Sequence, residues 1–180
     1  MRPALTLCCL AVGLLGCSAT SPSQPELQPL LATIEQRLDL AISVAAHKWD
    51  NKLPIEAPER ERQVLADVRK DAADYNLTAD RAAAFFSDQI EANKLVQYTL
   101  VDRWNTLGNR PPTASHDLVH EIRPRLDKLK ATLMSQLGRF DSTAKADCKL
   151  NLTSALQRRT NDPLRHMALV RATAQLCRDR

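Results

Sequence analysis

The chain has 180 residues, 44% of them hydrophobic, enough for one domain with a single buried core. Four glycines and 4% aromatic residues, in a background rich in Ala, Leu, Arg and Gln, favour helices and leave little material for a sheet. The net charge of +4 is spread along the chain, which argues against the clustered basic stripe of a nucleic-acid binder and favours a small anionic ligand.

In chain order, Arg2 precedes a short apolar run over residues 4–16 that is too short to cross a bilayer and reads as a leader peptide. Its end, Leu14-Leu15-Gly16-Cys17, resembles a bacterial lipobox, in which Cys17 is acylated, becomes the N-terminus and tethers the protein to a membrane. Ordinary cleavage after Ala19 is the other reading, and it discards Cys17. Residues 18–25 form a polar, Pro/Ser-rich tether, and 26–180 form the folded domain. A leader implies export to the periplasm or beyond, so the cysteines are read for an oxidising compartment. Cys8 and Cys9 leave with the leader and Cys17 is acylated or removed, so Cys148 and Cys177 should bond to each other. No CxxC and no Cys/His spacing suggests zinc, and no metal or cofactor is expected.

Apolar residues at helical spacing predict a first helix from Leu27 to about Trp49, ended by the loop that Pro54 and Pro58 bracket. A second helix runs from Pro58 to Tyr75. Thr78 caps a long third helix reaching Trp104 or Thr106, broken by Gly108-Asn109-Arg110-Pro111-Pro112. Ser115 caps a fourth helix to about Phe140. Two shorter helices follow, over about 143–159 and 163–178, the last started by Asp162 and Pro163. The fold class is therefore all-α: one bundle of about six helices with one long central helix.

Two of these helices carry polar residues in the stripe that should face a core. On the first, the seam is Leu30, Ile34, Arg37, Ala41, Val44, Lys48. At about 100° per residue Arg37 and Lys48 lie almost in line, and burying each costs several kcal/mol, on the order of ~3–5, unless an anion or a set of hydrogen bonds compensates. The third helix repeats the pattern with Asn93 and Gln97 between Phe86, Ile90, Leu100 and Trp104. A single such cation reads as a snorkelling side chain or half of an ion pair. Four polar seam residues on two helices that can face each other read as the walls of a polar ligand cavity. His116 and His120 stand four apart, but no third ligand in pattern joins them.

The motifs Glu35-Gln36-Arg37-Leu38, Ala46-His47-Lys48-Trp49, Arg60-Glu61-Arg62-Gln63-Val64-Leu65 and Gln89-Ile90-Glu91-Ala92-Asn93-Lys94-Leu95-Val96-Gln97 resemble the all-helical AroQ class of chorismate mutases. Val44 to Trp49, Leu53-Pro54-Ile55-Glu56 and the two late cysteines resemble its exported gamma subgroup. The similarity spans about residues 27–137. It implies an isomerase that rearranges chorismate to prephenate, without covalent intermediate or cofactor, in a homodimer whose sites lie within single subunits. Carried over to this sequence, Arg37 and a second arginine bind the substrate carboxylates. Lys48 bonds the ether oxygen and a carboxylate, and Gln97 bonds the ether oxygen from the other side. Arg60 helps hold the ligand, Glu61 accepts from its ring hydroxyl, and Asn93 stands where a carboxylate is touched. The second arginine falls at Arg123, with Arg125 as competitor. Ala57 replaces an acidic residue and can act only through its backbone. A non-catalytic helical envelope lipoprotein or sensor module that binds a small carboxylate is the competing reading.

Overall fold

The computed structural model describes residues 25–112, 116–143 and 147–177. The leader, Cys17, Ala19 and the predicted cap Ser115 lie outside them. Six α-helices and no strand are present among the described residues: α1 (Leu27–Asp50), α2 (Pro58–Asp71), α3 (Ala79–Leu107), α4 (Arg123–Ser142), α5 (Cys148–Gln157) and α6 (Pro163–Ala172). None of them is long and apolar enough to cross a membrane.

The ends of α3 and α6 follow from local chemistry. Thr78 Oγ1 accepts the Arg81 N–H at 3.2 Å and opens α3, and Gly108, at φ 69°, closes it in a left-handed turn that suits a residue without Cβ. Asp162 Oδ1 accepts the Arg165 N–H at 2.7 Å and Pro163 takes the first turn of α6.

Elsewhere the periodicity overruns the helices. α2 stops at Asp71 and tightens into a 3₁₀ turn over Ala72–Tyr75, ended by Asn76 at φ 58°. That turn presses on α4: a Cβ built on Gly138 would stand 2.1 Å from the Tyr75 carbonyl oxygen, so glycine is what lets the two backbones meet. A π-turn, Leu118–Ile122, precedes α4, and Asp117 Oδ1 caps it by accepting the Val119 and His120 N–H groups, each at 2.7 Å. α5 begins at Cys148 rather than near 143, because Thr143 turns extended and Asp147 takes φ 55°. α6 ends at Ala172, and the turns that follow bring Cys177 to Cys148. The two form a disulfide with a Cα–Cα distance of 5.7 Å.

α3 is the centre, packed on α1, α2 and α6, while α4 closes the bundle against α1. Leu30, Leu31, Ile34, Phe85, Phe86, Leu133, Leu137, Phe140 and Leu169 fill the core. Burial of such side chains supplies roughly 1.5–3 kcal/mol each toward folding. α2 packs mainly on α3 and reaches α4 through the ion pairs of Arg60 with Asp127 and of Asp67 with Lys130, and a space remains between its first turns, α1 and α4.

Candidate active site

The four polar seam residues converge on that space. Arg37 and Lys48 of α1 are 7% and 8% exposed, and Asn93 and Gln97 of α3 are 7% and 4% exposed. All four line one pocket of about 110 Å³, closed by Arg60 and Glu61 from the start of α2 and by Leu126, Asp127 and Lys130 from α4.

Its hydrogen bonds are partial. Gln97 Nε2 donates to Asn93 Oδ1 at 2.6 Å, while Gln97 Oε1 is buried without a partner among the described residues. Asn93 Nδ2 donates to the Arg37 carbonyl at 3.4 Å. Arg37 Nε is likewise buried without a partner. Lys48 Nζ donates to the Ile55 carbonyl, from the connection between α1 and α2. An ammonium carries three donors, so Lys48 keeps N–H groups to offer a ligand, whereas Gln97 Nε2 also reaches the Asn93 carbonyl at 3.4 Å. Ala57 does act through its backbone, its N–H donating to Glu61 Oε1 at 3.1 Å.

The charge is one-sided. Arg37, Lys48, Arg60, Lys94 and Lys130 face only Glu61 and Asp127 among the lining residues. Arg60 Nη2 donates to Asp127 Oδ1 at 2.8 Å, and Lys130 stands 3.6 Å from Asp67. Burial pushes the Arg37 guanidinium down to about 10, opposed by the charge of Asp127 and reinforced by Arg60. Burial also lowers Lys48, against Glu61 and Glu56, with Arg123 and Lys94 adding to the fall. Arg37 stays cationic at neutral pH, and with cations outnumbering carboxylates in its lining the pocket can hold a small dianion and stabilise negative charge that develops inside it.

Among the expected residues, Arg37, Lys48, Arg60, Glu61, Asn93 and Gln97 stand together. Arg123 is half-buried outside the lining, yet close enough for its charge to act on Lys48. It shares a face of α4 with Leu126, Asp127 and Lys130, at helical spacing, whereas Arg125 is exposed and off that face. Sequence reasoning missed Lys94, Asp127 and Lys130. The i+4 and i+7 positions from Arg123 were the available signal for the last two. His116 instead pairs with Glu121 at 2.9 Å and His120 with Asp117 at 3.1 Å. Among the described residues no three His, Cys, Asp or Glu side chains gather as metal ligands.

The "Secreted chorismate mutase" of Mycolicibacterium smegmatis is 31% identical to this chain over 165 residues, covering 89% of the chain and 91% of that relative. The chain belongs to the chorismate mutase family. Residues 28–98 match the model of "Chorismate mutase type II". A second "Secreted chorismate mutase", from Mycobacterium tuberculosis, is 30% identical over 164 residues, 88% of this chain and 82% of its own length. The crystal structure of the chorismate mutase from Burkholderia phymatum superposes with a TM-score of 0.82 at 39% identity, over 87% of this chain and 99% of that one. In this chorismate mutase the segment that matches the family model carries Arg37, Lys48, Arg60, Glu61, Asn93 and Gln97, whereas the α4 wall lies beyond it.

Proposed function

We propose that the pocket among α1, α2, α3 and α4 binds the chorismate dianion and rearranges it to prephenate in one pericyclic step, without a covalent intermediate. The observation that carries this reading is the convergence of Arg37, Lys48, Asn93 and Gln97 from two helices into one cationic pocket. As the C–O bond breaks ahead of C–C formation, negative charge gathers on the ether oxygen. Fixed donors there stabilise the transition state more than the ground state, and Lys48 and Gln97 are those donors. Arg37 and Arg123 hold the two carboxylates, and so select the compact conformer that reacts. Arg60 supports the ligand, Asn93 touches a carboxylate, and Glu61 accepts from the ring hydroxyl.

The relatives named above as secreted, together with the apolar run over 4–16, support export to the periplasm or the medium. In this reading the leader spans 1–17, 18–25 are a tether and 26–180 the catalytic domain, with two chains per dimer and Cys17 either retained as an acylated first residue or removed by cleavage after Ala19. Loss of chorismate's ultraviolet absorbance on adding the purified mature protein tests the activity. Binding of chorismate with no loss of absorbance would leave a carboxylate-binding module and remove the enzyme.

A further inference from the structure

Lys94 stands one residue beyond Asn93 and lines the same pocket, with its side chain 13% exposed. Its surroundings differ from those of every other cation there. The ammonium is 2.8 Å from Glu91 Oε1 on its own helix, 3.2 Å from Glu56 Oε2 on the α1–α2 connection, and 3.4 Å from Glu61 Oε2 on α2. Glu56 is held in turn by the Tyr98 hydroxyl, which donates to its Oε1 at 2.7 Å. Glu91 and Glu56 are 42% and 50% exposed and lie at the rim, whereas Glu61, at 24%, faces the pocket. Burial works against the Lys94 charge, but the bonds to Glu91 and Glu56 and the charges of Glu61 and Glu91 raise it above its ordinary value. Three carboxylates thus share one ammonium. A lysine so committed has little attraction left for a substrate carboxylate, and what it can do for the site is hold Glu61.

Glu61 needs such a hold. It sits on the first turns of α2, a helix packed mainly on α3 and joined to α4 through the ion pairs of Arg60 and Asp67. One of its oxygens accepts the Ala57 N–H and the other accepts Lys94. Together these fix the carboxylate from both sides and leave lone pairs directed at the pocket.

We infer that Lys94 is a positioning residue for the chorismate site: anchored by Glu91 and by the Glu56–Tyr98 pair, it fixes the Glu61 carboxylate that receives the substrate hydroxyl. The inference rests on the proposed role of Glu61. A hydroxyl contact made equally in the ground and transition states changes KM and spares kcat.

The test is steady-state kinetics on the mature protein with Lys94→Met, Lys94→Gln, Lys94→Arg, Glu61→Gln and the Lys94→Met/Glu61→Gln double variant, with melting curves for each. Lys94→Met should raise KM about tenfold, on the scale of one charge-assisted hydrogen bond, with kcat within about twofold of the parent. Lys94→Gln replaces it if the methionine variant does not fold. Lys94→Arg, whose fork can bridge two carboxylates, should recover most of the loss. The double variant should be no worse than Glu61→Gln alone. Additive losses would mean that Lys94 meets the substrate directly or by long-range attraction, and would overturn the inference. A raised KM in Glu61→Gln with none in Lys94→Met or Lys94→Gln would overturn it too, leaving the role of Glu61 intact. An unchanged KM in Glu61→Gln would remove Glu61 from the substrate, and the inference with it.

Discussion

Gln97 donates through Nε2 to Asn93 Oδ1 at 2.6 Å, one turn back along α3, and leaves its own Oε1 buried without a partner among the described residues. Donation to the ether oxygen uses the same Nε2, so a ligand must share or replace the bond to Asn93. A neutral amide donates at any ordinary pH, whereas a carboxylic acid donates only while protonated. Gln97→Glu should therefore approach parent kcat/KM in mild acid and fall as pH rises toward about 8. Burial and the bound dianion lift the new acid above the ordinary carboxylate value of about 4.3, and Lys48 opposes them. Gln97→Ala should lose roughly 3 kcal/mol of transition-state stabilisation at every pH. The measurement is kcat/KM for the three proteins from about pH 5 to 8, with folding followed by circular dichroism. A folded Gln97→Ala of near-parent activity would take Gln97 out of the chemistry.

The cations of α4 separate by position. Arg123→Ala should raise KM steeply and lower kcat, at a cost of about 3 kcal/mol or more, because a carboxylate loses its bidentate partner in a confined site. Arg125→Ala should be mild, since Arg125 is exposed and points away from the face that carries Asp127 and Lys130. The reverse order of effects would move the second carboxylate to Arg125.

Arg37 sets function against stability. Its guanidinium is 7% exposed, its Nε is unpartnered, and burial depresses its pKa to about 10. For a cation a depressed pKa means that the folded state disfavours the charge. The cost is therefore present at neutral pH and is relieved only as pH rises through the folded value. Arg37→Met should remove that cost and raise stability by about 1–4 kcal/mol while abolishing measurable turnover. A melting curve at pH 7 beside the absorbance assay reads both. A lower melting temperature would show that the charge is better compensated than its burial implies.

The Cys148–Cys177 bond closes a loop with a sequence separation of 29 and should be worth roughly 3–4 kcal/mol on chain-entropy grounds. The Cys148→Ser/Cys177→Ser variant should melt lower while keeping KM within about twofold, because both cysteines sit on the α5 and α6 side, outside the pocket lining. Thiol labelling of the denatured, unreduced protein should find neither sulfur free; full labelling of both would contradict the bond.

Helices, caps and the anomalous seam were legible because each is a property of one helix about its own axis. A stripe at 3.6-residue spacing exposes Arg37, Lys48, Asn93 and Gln97 as misplaced in a core whatever the helix packs against. The caps at Thr78 and Asp162 are likewise local, settled within about three residues. What a stripe does not carry is how far one helix is rotated and slid against the next. That depends on side-chain fit between segments far apart in the chain. The Arg60–Asp127 pair, the seat of Lys94 among Glu56, Glu61 and Glu91, and the placing of Lys130 rather than Arg123 in the pocket wall are products of that fit. Gly138 shows the cause: its missing Cβ lets α4 ride against the Tyr75 carbonyl, and that close approach sets where α4 meets α2. The shortened α5 and α6 have the same origin, because the disulfide and the turns around it outweigh the helical periodicity of residues near both ends. The residue pattern by itself determined the helices, the family resemblance and six residues of the pocket. Only packing decided which α4 side chains complete it.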